Sequence, residues 1–259
     1  MTARWKRAAV AGLAALTLGA AGCGAGDDPA AGTGGTVTVF AAASLTGSFT
    51  KLGKDYEAAH PDTRVVFNFA GSSALATQIT QGAPADVFAA ASPATMKTVT
   101  DAGDAAGTPA VLVRNQLVIA VPKGNPDRVA GLADLARPGV KVALCAEQVP
   151  CGAAARTALA AAGVRLTPAT LEQDVKGALA KVKLGEVDAA LVYRTDVRGA
   201  AELDAVEFPE SARAVNDYPV AVLTHAANPA GARAFVDYVR SATGLAVLTA
   251  AGFQAPPSR

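Results

Sequence analysis

The sequence predicts an α/β protein of two lobes, each a mainly parallel sheet flanked by helices, joined by two hinge crossings. Three observations carry this. Short apolar strand patterns alternate with helical ones along the chain, which is the signature of parallel sheets covered by helices. Hydrophobic residues make up 51% of the 259, enough to bury a large core in one pair of lobes. A composition break, Val-Pro-Lys-Gly-Asn-Pro over 121–126, follows directly on the apolar strand 117–121, and an apolar strand at 217–224 can return the chain. One continuous doubly wound sheet would have the same periodicity and stays open as the alternative.

The first 22 residues are not part of that fold. Arg4, Lys6 and Arg7 precede an apolar run over 8–21 with no acidic residue, the pattern of an export signal and too short for a permanent span. The run ends Ala20-Ala21-Gly22-Cys23. This resembles a bacterial lipoprotein cleavage box, with Ala20 where leucine is usual, and marks Cys23 for lipidation; an ordinary exposed cysteine is the alternative. Residues 23–35, rich in Gly, Ala, Asp, Pro and Thr, have little to bury and form a flexible tether. The expected location is therefore extracytoplasmic, anchored by lipid to the outer face of the cell membrane.

Lobe 1 is expected over 36–116 plus 219–259 and lobe 2 over 117–218. Strands are expected at 37–40, 64–69, 86–90, 110–113, 116–121, 141–145, 189–193 and 219–224. The helix beginning at Thr46 carries Phe49, Leu52, Tyr56 and Ala59 at three- and four-residue spacing, a stripe for burial against its sheet. It stops at His60-Pro61, because proline disfavours helical geometry in the residue before it. Further helices are expected at 77–81, 153–162, 229–240 and 245–251. Without Arg4, Lys6 and Arg7, the 22 Asp and Glu slightly outnumber the Lys and Arg, which argues against nucleic acid as a partner.

With Cys23 assigned to lipid, Cys145 and Cys151 remain, an even pair outside the cytoplasm. A disulfide is favoured there, with two separate buried thiols as the alternative. Neither His60 nor His225 lies near them in sequence, so no protein-held metal is expected.

Five places offer hydrogen-bond donors where strands end. Ser44 follows the first strand at the start of the first helix, and Ser72 follows the second. Pro150, Cys151 and Gly152 open a helix after the strand 141–145. Asp174 is placed to cap a helix starting at Val175, and Tyr193 ends the strand 189–193. Helix N-termini carry unpaired N–H groups and partial positive charge, so they hold anions without Lys or Arg. Taken singly, a serine at such a turn reads as an N-cap and a strand-end tyrosine as packing.

Together these segments resemble the molybdate-binding proteins of ABC importers, within the type II periplasmic binding protein family. The resemblance rests on Phe-Ala-Ala-Ala-Ser-Leu-Thr over 40–46, Phe-Ala-Gly-Ser-Ser-Ala-Leu over 69–75 and Gly-Ala-Pro-Ala-Asp-Val-Phe over 82–88. It rests also on Val-Pro-Cys-Gly over 149–152, Asp-Val-Lys-Gly-Ala-Leu over 174–179, Val192-Tyr193 and Asp-Tyr-Pro-Val-Ala-Val over 217–222. It implies that Ser44 and Ser72 hold a molybdate or tungstate ion through hydroxyl and amide, Cys151 and Val175 through backbone amides, and Tyr193 through its hydroxyl. Cys151 stands where the family commonly has alanine, a change that leaves a backbone contact available. No cofactor is implied. The implied partners are an ABC permease and ATPase complex, with the protein itself a monomer. Such dianions are fully deprotonated at neutral pH, so donors suffice and an acceptor has no use. Sulfate or thiosulfate is the alternative ligand.

One enzyme reading competes. Ser48-Phe-Thr-Lys51 has the Ser-x-x-Lys spacing of penicillin-interacting serine enzymes, but Ser-Asp-Asn and Lys-Thr-Gly are absent. Two solvated helix residues explain the pair, and a binding protein rather than an enzyme is expected.

Overall fold

The computed structural model describes residues 33–256. The expected leader, Cys23 and most of the tether lie outside the described residues. Ten strands occur in chain order: β1 (Gly35–Ala42), β2 (Thr63–Ala70), β3 (Val87–Ala89), β4 (Ala110–Asn115), β5 (Leu117–Pro122), β6 (Val142–Cys145), β7 (Thr170–Glu172), β8 (Ala189–Tyr193), β9 (Leu203–Val206) and β10 (Asn216–Val222). They form two five-stranded sheets, ordered β2-β1-β3-β10-β4 and β7-β6-β8-β5-β9. Eight α-helices accompany them: α1 (Thr46–Ala59), α2 (Ser72–Thr80), α3 (Pro93–Asp101), α4 (Pro150–Ala162), α5 (Val175–Lys183), α6 (Arg194–Arg198), α7 (Pro229–Arg240) and α8 (Ala242–Ala250). Among the described residues no helix is long and apolar enough to cross a membrane.

Each sheet is mainly parallel, as expected, and mixed by one opposing strand. In the first, β1 runs parallel to β2 and β3 while β10 runs antiparallel to β3 and β4. The second repeats the scheme, with β6 parallel to β7 and β8 and β5 antiparallel to β8 and β9. The physical reason lies in the crossings. In each sheet a single strand, β10 or β5, runs against the other four. It lies beside the strand of the opposite crossing: β4 leaves the first sheet at Asn115, where β10 enters it at Asn216, so the two neighbours run in opposite directions.

The return crossing comes earlier than the expected 217–219, since Asn216 already pairs with Asn115 in the first sheet. Pro219 had disguised this. It lacks the N–H a ladder requires, and the register against β4 shifts between Tyr218 and Pro219 to accommodate it. Strands β7 and β9 were not expected. Both are edge strands of three or four residues, and Leu171 in β7 is exposed; with one side unpaired they need little apolar patterning.

Local chemistry explains the helices that border the cleft. On α1, Phe49, Leu52 and Tyr56 are buried, and Phe49 meets Phe67 and Phe235 edge to face at 6.2 and 6.5 Å. Pro150 occupies the first turn of α4, where its missing N–H costs nothing, and Gly163 ends it with φ +66°, a conformation that favours glycine. At α5 the Asp174 side chain accepts from the N–H groups of Lys176 and Gly177 at 2.8 and 2.9 Å.

Candidate functional site

Six strand-to-helix junctions converge on one small cavity between the sheets. Its wall includes Ser44, Gly71 and Ser72 from the first lobe and Pro150, Cys151, Val175 and Tyr193 from the second. All five residues proposed from the sequence are thus brought together. The cavity measures about 10 Å³, the room of roughly one water-sized sphere, so the two walls nearly touch and the lobes are closed. Gly71 shows how closely. A Cβ built there would lie 2.3 Å from the Gln173 carbonyl oxygen of the opposite lobe.

Neither serine is a simple cap. Ser44 lies in a 3₁₀ turn (Ala43–Leu45) before α1, and Ser72 is the first residue of α2; neither helix has a side-chain N-cap bond. The Ser44 hydroxyl instead pairs with the Tyr218 hydroxyl at 2.9 Å, and the Ser72 Oγ accepts the Ala91 N–H at 2.9 Å. Both serines are buried.

In the second lobe the donors are backbone amides and a phenol. The first three N–H groups of an α-helix have no partner within it. At α5 the Asp174 cap takes those of Lys176 and Gly177, so Val175 has the one left over. At α4 Pro150 has none, and the Cys151 amide is the first available. Cys145 and Cys151 are bridged, with Cα atoms 5.7 Å apart, tying the end of β6 to the first turn of α4. Closing so short a loop is worth about 2 kcal/mol in the chain-entropy picture. Replacing both cysteines with alanine is expected to lower unfolding free energy by about that amount; an unchanged urea midpoint would show that the loop holds its shape unaided.

The Tyr193 hydroxyl is buried and accepts from the Asn216 Nδ2 at 2.9 Å. Burial first, then the neighbouring Tyr218 and Asp196, push its pKa well above the ordinary value, so it is a neutral donor at physiological pH. No Lys or Arg lines the cavity. The carboxylate on its wall is Asp174. Asp196, buried on α6, pairs with Lys176 Nζ at 2.7 Å; burial raises its pKa and Lys176 opposes the rise. Among the described residues no three His, Cys, Asp or Glu side chains cluster as a metal site.

A larger groove of about 1540 Å³, lined by residues of α1, α5, α6 and α8, shares only Ser44 with this cavity. Within the groove, the two members of the Ser-x-x-Lys pair have other partners: the Ser48 hydroxyl donates to the Leu45 carbonyl, and Lys51 pairs with Asp55 at 2.8 Å. Sequence reasoning missed Tyr218, Asn115 and Asn216, which stand behind the cavity. The available signal was an uncharged polar side chain in an otherwise apolar strand pattern at each crossing.

The arrangement can hold a small acceptor-only anion by neutral donors from two lobes, and known proteins agree with it. The family model for bacterial extracellular solute-binding proteins matches residues 37–254. The molybdate-binding protein ModA of Mycobacterium tuberculosis is 45% identical over 249 residues, covering 94% of this chain and 95% of that protein. The periplasmic molybdate-binding protein of Azotobacter vinelandii has the same fold, with TM-score 0.73 at 20% identity over 85% of this chain and 100% of that one. So does the sulfate-binding protein SubI of Mycobacterium tuberculosis, with TM-score 0.72 at 17% identity over 85% and 86%; these two likenesses speak to fold alone.

Proposed function

We infer that this chain, which belongs to the bacterial extracellular solute-binding proteins, captures molybdate between its two lobes and presents it to an ABC importer. It works outside the cytoplasm. The observation that carries the reading is the convergence of three hydroxyls and the free amides of Cys151 and Val175 on one cavity with no cationic side chain. Ser44, Ser72 and Tyr193 serve as hydroxyl donors, and the Cys151 and Val175 amides complete the shell from the second lobe.

The chemistry suits a fully ionised tetrahedral oxyanion. Hydrogen bonds to a charged group contribute about 1.5 to 3 kcal/mol each, and helix N-termini about 0.3 to 1 more, rising in dry sites. Neutral donors also leave no unpaired cation buried when the site is empty. Tungstate, with the same charge and shape, is expected to bind as well; sulfate, of like charge and shape but smaller, is the competing ligand that the titration must separate. Lipidation at Cys23 is part of the proposal, supported by the leader pattern, and keeps the monomer beside its permease and ATPase partners.

Isothermal titration with molybdate, tungstate, sulfate and phosphate tests the reading, and equal affinity for sulfate or no heat with molybdate would refute it. Ser44→Ala and Ser72→Ala are each expected to weaken molybdate binding about tenfold or more, and Ser72→Ala also lowers the stability of the empty protein by about 1 to 3 kcal/mol, because it leaves the buried Ala91 N–H without its acceptor. Unchanged affinity in both variants would move the site elsewhere.

A further inference from the structure

We propose that Asn216, Asn115 and Tyr218, none of which lines the cavity, fix the direction in which the three site hydroxyls point their hydrogens. They thereby restrict the site to ligands that carry no proton. This rests on the reading of Ser44, Ser72 and Tyr193 as the hydroxyl donors.

A hydroxyl has one hydrogen to give. To spend it on an acceptor-only ligand, its oxygen must be held from behind by a group that donates. Ser72 meets this condition directly, since its partner is the Ala91 N–H at 2.9 Å, which has nothing to accept with. Tyr193 meets it through Asn216 Nδ2 at 2.9 Å. The orientation of that amide is set by chemistry, because the same NH₂ donates to the Ala91 carbonyl at 2.6 Å. Turned over, Asn216 would set its oxygen against that carbonyl.

Ser44 is the case that needs a relay. Its 2.9 Å contact with the Tyr218 hydroxyl could run either way. Behind Tyr218, however, Asn115 Nδ2 lies 3.4 Å from the phenolic oxygen and donates to Thr195 Oγ1 at 2.8 Å. The Asn115 oxygen accepts the Gln116 N–H at 3.0 Å, so this amide is also locked by backbone. With its oxygen receiving from Asn115, Tyr218 gives its hydrogen to Ser44. The Ser44 hydrogen is then free for the cavity.

The three chains share an origin. Asn115 and Asn216 are register partners across β4 and β10, at the two crossings, and Ala91 serves both Ser72 and Asn216 through its N–H and carbonyl. Every side chain in this set except Thr195 is buried, where reversing one bond leaves a donor facing a donor. The hydrogen-phosphate dianion has the charge of molybdate but brings a proton that needs an acceptor. The poled hydroxyls offer it none, and the Asp174 carboxylate on the wall is turned to the Lys176 and Gly177 amides.

The test compares molybdate with phosphate, at a pH where phosphate is the hydrogen-phosphate dianion, by isothermal titration and by displacement of molybdate. Asn216→Asp keeps the shape: the oxygen that replaces Nδ2 keeps one proton for the Ala91 carbonyl and meets Tyr193 as an acceptor, so Tyr193 turns its hydrogen away and shows a lone pair to the cavity. The molybdate-to-phosphate affinity ratio is expected to fall about 100-fold, the worth of one misdirected charge-assisted bond. Tyr218→Phe, which keeps the ring and the fold, is expected to lose about tenfold in molybdate affinity with the ratio falling alongside. Equal losses for both ions, or wild-type molybdate affinity in Tyr218→Phe, would overturn the proposal. Wild-type protein that takes no molybdate would instead refute the ligand assignment, a result visible before any variant is made.

Discussion

Gly71→Val abolishes tight molybdate binding while leaving the empty protein as stable as the wild type. Gly71 has φ −57° and ψ 131°, a conformation open to any residue, so a side chain there brings no backbone strain. What it meets is the other lobe. A Cβ lies 2.3 Å from the Gln173 carbonyl oxygen and 3.5 Å from the Asp174 Cβ, and a backbone carbonyl at the head of α5 cannot step aside without moving the cap that frees the Val175 amide. The lobes relieve the contact by staying apart. An open cleft keeps the Ser44 and Ser72 donors and loses those of Cys151, Val175 and Tyr193, each worth about 1.5 to 3 kcal/mol. Affinity should drop at least about 1,000-fold, with an expanded scattering radius in the presence of molybdate. Tight binding by this variant would mean that closure is not what the glycine permits.

Phe235→Ala gives the largest loss of stability. Phe235 on α7 is fully buried and sits edge to face with Tyr56 at 5.4 Å, Phe67 at 6.2 Å and Phe49 at 6.5 Å. It is the ring through which α7 grips α1 and β2. Truncation removes the transfer energy of the ring and leaves a cavity that three other rings cannot collapse to fill, costing about 3 to 5 kcal/mol and roughly 10 °C in unfolding temperature for a chain of this size. Molybdate affinity at temperatures where the variant is folded should change little, since the ring is remote from the cavity. Urea unfolding at constant slope measures the loss, and a value below about 1 kcal/mol would show the cluster to be plastic.

Much of this architecture was legible because local rules and burial agree. The strand Ala189–Tyr193 and the helix Pro229–Arg240 have the expected bounds, the first fully buried and the second punctuated by Asn228, Pro229 and a one-sided apolar stripe. The Asp174 cap was legible for the same reason, since capping is settled within three residues. What could not be read depends on partners distant in the chain. Ser44 and Tyr218 are 174 positions apart, and nothing near Ser44 says that its oxygen is held by a phenol rather than by its own helix. The strand start at Asn216 was hidden by a proline whose bulge exists only against β4, and β7 and β9 by needing only one paired edge. The junctions could be picked out by type and turn, and the five residues at them by the resemblance to a known family; the direction of their hydrogens could not be read at all.

The strand order of the first sheet has a consequence for how the protein comes into being. β5 to β9 are one unbroken run of chain, so the second lobe holds everything it needs to fold as soon as that run is free. The first lobe does not, because β10 lies between β3 and β4. Until residue 222 has emerged, β4 has no neighbour to pair with and the sheet stands divided. Closing it joins residues more than a hundred positions apart, such as Asn115 and Asn216, the kind of distant pairing that slows folding. A chain that emerges from its N-terminus can therefore complete its second lobe before its first, and the cleft, which needs both, is the last feature to exist.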